Sequence, residues 1–507
     1  MVVKSEIVED YLENLIYNSI RMGKSIKLSK SRIVDGITCE KKAHLAIHQP
    51  ELKAPVTPAK QYVFDQGHRV GRLAQEQFPG GYLVKAEYWD TQKAVKETLA
   101  AISIGTNAIF EATFSAGPLH CKVDILHRDN SQDKWHIIEV KSGVSAKPEY
   151  VIDAAIQAHI LSEAGIEWNK VSIMHLNKEC RAPNLSNLLT TTEVTDLVRD
   201  HLEDLPGQIA SVLEVVNSKH APSVEIGRYC EKPYECDFKK HCFAHVPDSS
   251  VFDLPLGWKL FDKGYLKIED IDPSNLTPTQ KIPYEVTVSG RREINSELIR
   301  ETLKKWDRPF YHLDFETIGP AIPIFPGTGP FNNTPMQFSL HIQGDIHGEV
   351  KHFEYLHPDE TEPRRAVAEK LVEWIPSKGG TVTAFNSSFE AKVLRQLAEM
   401  FPDLSDDLLA IEKRLVDPQD LIRNSVYDKE FRGSFSLKEV APALLGPKWS
   451  YANLEVSDGK AAQRAFEKMI LSDTADDEKA ALKKSLLEYC AQDTLAMVEL
   501  LNWLGEQ

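Results

Sequence analysis

Three groups of side chains in this sequence have the types and spacing to do chemistry. The first is Asp124 followed by Glu139-Val140-Lys141. Two carboxylates converging on a hard divalent cation, with an ammonium beside them to orient water and offset phosphate charge, are what metal-assisted phosphodiester hydrolysis needs. A cross-strand Lys–acid pair on a solvated face leaves the same short pattern. Against that bland reading, Glu139 is embedded in Ile137-Ile138-Glu139-Val140, an apolar run where an acid is costly unless something binds it. The second group is Asp314 with Glu316, then Glu390, then Tyr489 with Asp493. Asp314 and Glu316 lie two apart, so on a strand they share a face and repel one another, a repulsion that a divalent cation relieves. Glu390 also completes a Ser387-x-x-Glu390 capping box, which by itself would account for it. Tyr489 and Asp493, four apart, share one face of a helix. The third group is Cys230, Cys236 and Cys242, three thiols within 13 residues rich in Lys, Glu and aromatics. From spacing alone, iron–sulfur and zinc divide about evenly, whereas Cys121, Cys180 and Cys490 read as small buried hydrophobes.

These residues need elements to position them. LHCKVDILHR and KWHIIEVKSG alternate apolar and polar residues on either side of DNSQD, which predicts an antiparallel hairpin that brings Asp124 beside Glu139 and Lys141. Pro148 suits a helix start, and Tyr150, Ala154, Gln157 and Leu161 then fall on one face. Further on, FYHLDFET, MQFSLHIQG, KHFEYLH and TVTAFN read as strands, with RRAVAEKLVEWI and EAKVLRQLAEMF as helices. The alternation predicts an α/β fold with a mixed sheet flanked by helices. Pro255, Pro273, Pro278 and Pro283 punctuate a helical connector. The expected division is an N-terminal helical extension over 1–27, a first domain over 28–250, the connector over 251–305 and a second domain over 306–507.

Lys plus Arg number 59 against 75 Asp plus Glu, a net charge of −16, so any polyanion must be met by local basic patches. Residues 21–44 supply one, with a balance of +5 from Arg21, Lys24, Lys27, Lys30, Arg32, Lys41 and Lys42 against Asp35 and Glu40. Trp89, Tyr229, Tyr234 and Phe238 are candidates to stack on bases. The N-terminal residues carry charges and no apolar run, and no stretch reaches the length of a membrane helix. The expectation is a cytoplasmic protein without membrane insertion, in a compartment where clustered thiols bind metal rather than form disulfides.

Asp124, Glu139-Val140-Lys141 and the following helix with Gln157 resemble the RecB-like PD-(D/E)XK nucleases. The resemblance is particularly to the iron–sulfur branch, which includes CRISPR-adaptation nucleases and the AddB nuclease domain. That branch has one cysteine far upstream of the core and three clustered downstream, as Cys39 and Cys230, Cys236 and Cys242 stand here. The resemblance implies a restriction-endonuclease-like core in which these four thiolates hold a [4Fe-4S] cluster, with Zn²⁺ as the alternative, and in which Asp124 and Glu139 bind the catalytic metal. In Gly67-His68-Arg69-Val70-Gly71 a Gly stands where many members carry a His ligand, leaving His68 and Glu76 as candidates for it. Leu161 likewise stands where the Q-x-x-x-Y motif has Tyr. The second group, in its order along the chain, resembles the DnaQ-like DEDD exonucleases of the RNase H fold in their Tyr variant, supported by Val416-Asp417 and by Ser436-Leu437-Lys438-Glu439-Val440-Ala441. That likeness implies Mg²⁺ or Mn²⁺ held by Asp314, Glu316 and Asp493, with Glu390 helping to hold a second ion. It also implies Tyr489 orienting the attacking water, and a free 3′ end as substrate. Glu390 departs from the Asp that most members have.

Together these readings predict a two-site metal-dependent nuclease acting on single-stranded DNA or DNA ends, one site a 3′→5′ exonuclease, in DNA repair, CRISPR adaptation or phage defence. The alternative is a non-cleaving end-binding or scaffold protein whose sites have decayed.

Overall fold

The computed structural model describes residues 26–128, 134–452 and 454–507. Most of the expected N-terminal extension, Arg21 and Lys24 of the basic segment, and the DNSQD turn lie outside them. The chain divides into two compact units. One runs to Phe243 and takes in Pro320–Phe331; the other comprises Ala244–Gly319 and Asn332–Gln507. Both are mixed α/β, as the alternation of patterns predicts.

In the first unit the strands are β1 (Leu28–Ser29), β2 (Tyr82–Leu83), β3 (Ala108–Ala116), β4 (Leu119–His127), β5 (Trp135–Lys141), β6 (Trp168–Leu176) and β7 (Leu189–Glu193). The helices are α1 (Lys30–Thr38), α2 (Glu40–His48), α3 (Pro58–Glu76), α4 (Thr91–Ser103), α5 (Pro148–Glu163), α6 (Thr195–Asn217) and the single turn α7 (Lys239–Cys242). The sheet order is β2-β3-β4-β5-β6-β7, with β1 parallel to the start of β4. The predicted β4–β5 hairpin pairs Ile125 with Ile138 and His127 with His136. β5 and β6 run parallel because α5 crosses between them, as a parallel pair requires. Pro148 opens α5, where its missing N–H costs nothing. Ala154, Gln157 and Leu161 are fully buried against the sheet, in a core with Val123, Ile137 and Val171.

The second unit begins with α8 (Gly257–Phe261), α9 (Pro278–Ser289), β8 (Glu293–Ile294) and α10 (Ser296–Leu303), the stretch read as a helical connector. Its main sheet holds β9 (Phe310–Ile318), β10 (Thr334–Gln343), β11 (Val350–Leu356), β12 (Thr381–Thr383) and β13 (Leu415–Val416), in the order β11-β10-β9-β12-β13. β9, β10 and β11 form an antiparallel meander, while β12 and β13 run parallel to β9. Around it lie α11 (Arg364–Trp374), α12 (Ser388–Met400), α13 (Ser405–Glu412) and α14 (Pro418–Ser425). The short β14 (Val426–Tyr427), which pairs with β8, leads on to α15 (Leu437–Leu445), α16 (Gly459–Ile470) and α17 (Asp476–Gly505). β9 is central and buried on both faces. Leu313 and Phe315 enter the core formed with Val367, Leu371 and Leu394 of α11 and α12. Alternation therefore turns Asp314 and Glu316 to the opposite face, where α17 packs. Among the described residues no helix is long and apolar enough to cross a membrane.

Candidate active sites

Three acids of the first unit stand in one row across three strands. Continuing the β4–β5 register by one residue sets Asp124 opposite Glu139. The β3–β4 register, from Phe110 opposite Ile125 to Ala112 opposite Val123, sets Glu111 opposite Asp124. Glu139 is 2% exposed. Its Oε1 accepts from Lys30 Nζ at 2.7 Å and Lys141 Nζ at 2.9 Å, and its Oε2 accepts from Gln157 Nε2 at 2.5 Å. Asp124 Oδ2 accepts from the Val140 N–H at 2.7 Å, and Lys141 also pairs with Asp153. Burial works against charge on Glu139, but Lys30 and Lys141 outweigh it and hold the carboxyl at about 2. Asp124 is pushed up to about 7, by burial first and then by Glu139. One carboxylate thus stays charged beside one that keeps its proton near neutrality, so cation binding here releases a proton and strengthens with pH. Gln157 Oε1 is a buried acceptor without a hydrogen-bond partner, the kind of atom that a cation or its water satisfies.

Of the two candidates for an extra ligand, His68 is exposed on α3, lines the same cavity as Lys141 and Asp153, and lies within electrostatic reach of Glu111. Glu76 is eight residues further along the helix, about 12 Å away along its axis, and is no part of that cavity wall.

The four cysteines come together from both ends of this unit. Cys39 separates α1 from α2, Cys230 closes a 3₁₀ turn, Cys242 ends α7, and the Cys236 N–H donates to the Cys230 carbonyl at 2.9 Å. All are free thiols and line one cavity of about 730 Å³ with Lys141, Asp153 and His68. Burial, with neighbouring thiols adding to it, raises Cys39, Cys236 and Cys242 above the ordinary thiol range. Such a set becomes thiolate when a metal takes it up. Among the described residues no three of these sulfurs lie within 4.8 Å of one another, whereas a ZnS₄ tetrahedron has edges of about 3.8 Å.

In the second unit, carboxylate oxygens of Asp314, Glu316 and Asp493 all lie within 4.8 Å of one another. Burial, followed by Asp493, Glu316 and Glu390, raises Asp314 well above the carboxylate range. Glu316 is pushed up to about 8 by burial and Asp493, with Lys438 opposing. Burial lifts Asp493 only to about 6, because the Tyr451 hydroxyl donates to its Oδ1 and Lys438 is near. Glu390, 3% exposed and in the first turn of α12, rises to about 8, mainly by burial, and its Oε2 has no hydrogen-bond partner. The Ser387 capping box does not form. Asp417 at the end of β13 instead accepts from the N–H groups of Asn386 at 3.1 Å and Ser387 at 2.9 Å, while Asn386, at φ 63°, makes the left-handed turn out of β12. Glu390 is thereby left to the acidic cluster. Tyr489 lies one turn before Asp493, edge-on to Tyr451 with centroids 6.3 Å apart, and Lys438 Nζ is 5.3 Å and 5.4 Å from the centroids of Tyr489 and Tyr451. Cys490 is buried but is not mere filler, since its S–H donates to Asp314 Oδ2 at 3.4 Å.

Several participants escape sequence reading. Glu111 sits in Ile109-Phe110-Glu111-Ala112, the same acid-in-an-apolar-run signal that Glu139 carries, and could have been found by it. Lys30, Asp153 and Tyr451 leave no local signal, because only packing brings them in. Conversely, Phe238 is 1% exposed in a core with Leu45 and Ala46, and cannot stack on a base, while Trp89 and Tyr234 are 68% and 63% exposed. The basic segment is also less open than its charge implies: Lys30 is bound to Glu139, and Arg32 and Lys42 both pair with Asp35.

The carboxyls of the second cluster hold protons in the fold that they lose when unfolded. The folded state therefore binds more protons between about pH 4 and pH 8, and their contribution to stability falls as pH rises through that window. In EDTA, the Tm should drop between pH 5 and pH 8 relative to a variant carrying Asp314→Asn and Glu316→Gln, and Mn²⁺ should restore it at pH 8. Thermal melts at the two pH values check this; a wild-type Tm that rises with pH relative to the variant contradicts it.

A family model described as a domain of unknown function (DUF2779) matches residues 311–436. The match takes in Asp314, Glu316, Glu390 and Asp417, and ends before Lys438, Tyr451, Tyr489 and Asp493. No curated protein matches the chain.

Proposed function

We propose that this protein is a metal-dependent nuclease with two sites, a RecB-like one at Asp124, Glu139, Lys141 and Gln157 and a DnaQ-like 3′→5′ exonuclease at Asp314, Glu316, Glu390, Tyr489 and Asp493. The observation that carries the reading is the buried convergence of Asp314, Glu316 and Asp493 within 4.8 Å, beside Glu390 with its unpartnered Oε2. Carboxylates gathered there repel one another, a cost that protons offset at low pH and a divalent cation offsets when they ionise. The mixed sheet with Asp314 and Glu316 on its central strand, and Asp493 on the helix packed against that strand, supports an RNase H-like fold.

Mg²⁺ or Mn²⁺ on these carboxylates would supply a water acidic enough to attack phosphorus and would stabilise the leaving oxygen. The chain's own groups do the rest. Tyr451 fixes the orientation of Asp493 by its hydrogen bond, Tyr489 presents its hydroxyl toward the acids, and Lys438 places the site's own positive charge near Glu316 and Asp493. Tyr451, Tyr489 and Asp493 are buried and Lys438 is half-buried, which limits screening of these charges by bulk water. At the first site Gln157 and Lys141 orient Glu139.

On the cysteines, a [4Fe-4S] cluster would tie the two ends of the first unit together. The resemblance to the iron–sulfur branch, with Cys39 upstream and Cys230, Cys236 and Cys242 clustered downstream, is what favours that choice over Zn²⁺. Anaerobically purified protein should be brown, absorb near 400 nm and carry about four irons per chain; stoichiometric zinc without iron would overturn the cluster.

A non-cleaving end-binding protein is favoured at the first site by one observation. Lys30 and Lys141 both engage Glu139 Oε1, which satisfies that oxygen without a metal. End-labelled single-stranded DNA incubated with Mg²⁺, Mn²⁺ or EDTA decides between the readings: metal-dependent shortening from the 3′ end supports the exonuclease, and binding without cleavage in every metal supports the scaffold.

A further inference from the structure

Lys438 is the second residue of α15 and is half-buried. A cation in a helix's first turn opposes the helix dipole, so something other than helix stability favours it there. Its Nζ donates to the Ser457 carbonyl at 2.5 Å and lies 5.4 Å and 5.3 Å from the ring centroids of Tyr451 and Tyr489. Those two rings meet edge to face, and the Tyr451 hydroxyl donates to Asp493 Oδ1. The ammonium is thus one phenol away from a carboxylate of the second cluster. Yet among the described residues no acid stands within ion-pair distance of it. Lys30 and Lys141 of the first unit, by contrast, both close on Glu139.

A half-buried ammonium beside several carboxylates is strongly drawn onto one of them. Two features hold Lys438 back. Tyr451 occupies Asp493 Oδ1, and the two ring faces attract the charge without taking up an N–H as a carboxylate oxygen would. An ammonium has three donors; the Ser457 carbonyl takes one, and the rings leave the others to a stronger acceptor. The carboxylates are therefore kept for cations and the ammonium for an anion. Its charge still reaches the cluster, opposing the rise in proton affinity of Glu316 and Asp493. A nucleic-acid strand brings the matching anion, since each phosphodiester carries a negative charge on its non-bridging oxygens.

We propose that Lys438 donates to a non-bridging oxygen of the phosphodiester under attack at the second site, as a catalytic residue of that site. This rests on the exonuclease reading of the cluster. The test uses the full chain with Lys438→Met, with Lys438→Gln, which can still donate to the Ser457 carbonyl, and with Lys438→Arg, which keeps the charge. Three quantities are read: kcat for shortening of a 5′-labelled single strand in Mn²⁺, the salt dependence of binding of the same strand in Ca²⁺, and the Tm. Both neutral variants should make the slope of log K against log salt shallower by about 0.7, the share of one phosphate contact on a single strand. They should also lower kcat by about a hundredfold, the usual loss of one donor to developing charge. Lys438→Arg should restore the slope. A lysine that only holds the tyrosines would change affinity by one factor at every salt concentration, so an unchanged slope in the neutral variants overturns the contact, as does a wild-type kcat in either. Should Lys438→Met melt well below wild type, Lys438→Gln decides. If the slope falls while wild-type protein shortens no strand in Mg²⁺ or Mn²⁺, the phosphate contact stands and the exonuclease reading falls. Shortening at the wild-type rate with an unchanged slope does the reverse.

Discussion

Substituting Asp314→Asn together with Glu316→Gln should abolish 3′→5′ shortening, by about three powers of ten or more, and at the same time stabilise the protein in EDTA. The two effects have one cause. Burial first, and neighbouring carboxylates after it, raise the proton affinity of Asp314 and of Glu316, the latter to about 8, while burial alone lifts Asp493 to about 6. Neutral isosteres remove that repulsion without opening a cavity, but they also remove the ligands on which the attacking water and the leaving oxygen depend, a loss of several kcal/mol of transition-state stabilisation. Product ladders from 5′-labelled strands and melts in EDTA at pH 8 measure the two sides. A variant that still trims at more than about a hundredth of the wild-type rate would show that the chemistry lies elsewhere. A less stable variant would show that the acids are held by bonds rather than strained by charge.

Glu139→Ala should behave in the opposite sense. First-site cleavage should again fall by about three powers of ten, but stability should fall too, by about 3–5 kcal/mol, the usual cost of breaking a buried ion pair from one side. Glu139 is the shared partner of Lys30, Lys141 and Gln157. With its carboxylate gone, Lys30 loses its acceptor, and Lys141 and Gln157 are left with Asp153 alone, in a site where the lysine side chains are only 20% and 21% exposed. Glu139→Gln keeps an acceptor oxygen and should lose the activity with less of the stability. Chemical denaturation of the three proteins in EDTA orders them, with wild type first and Ala last; Glu139→Ala as stable as wild type would mean that the lysines find other partners. Because this acid row and the Asp314 cluster each lie wholly within one unit, Glu139→Ala should leave 3′→5′ shortening intact. Losses at both activities would mean a single shared site.

What could be read from residues alone was local and periodic. Alternation in KWHIIEVKSG and FYHLDFET put Glu139 with Lys141, and Asp314 with Glu316, on single strand faces, because side chains alternate whatever the strand packs against. Pro148 marked a helix start for the same reason: its fixed φ and missing N–H act within one turn. The mixed α/β class followed from the succession of such patterns. Tertiary structure decided which faces meet. That Lys30, 109 residues before Glu139, is its ion-pair partner, and that Tyr451 donates to Asp493 across 42 residues, has no periodic signature, since long-range pairs are selected by the packing of whole elements. Ser387 and Glu390 fit a capping box in sequence, yet Asp417 from a neighbouring strand takes the Ser387 N–H that Glu390 would have accepted, and no box forms. The net charge of residues 21–44 was legible, and Arg32 and Asp35 pair within one helical turn, but the pairing of Lys42 with Asp35 and of Lys30 with Glu139 depended on where α2 and β5 came to lie against α1, because ion pairs between elements are set by how those elements pack.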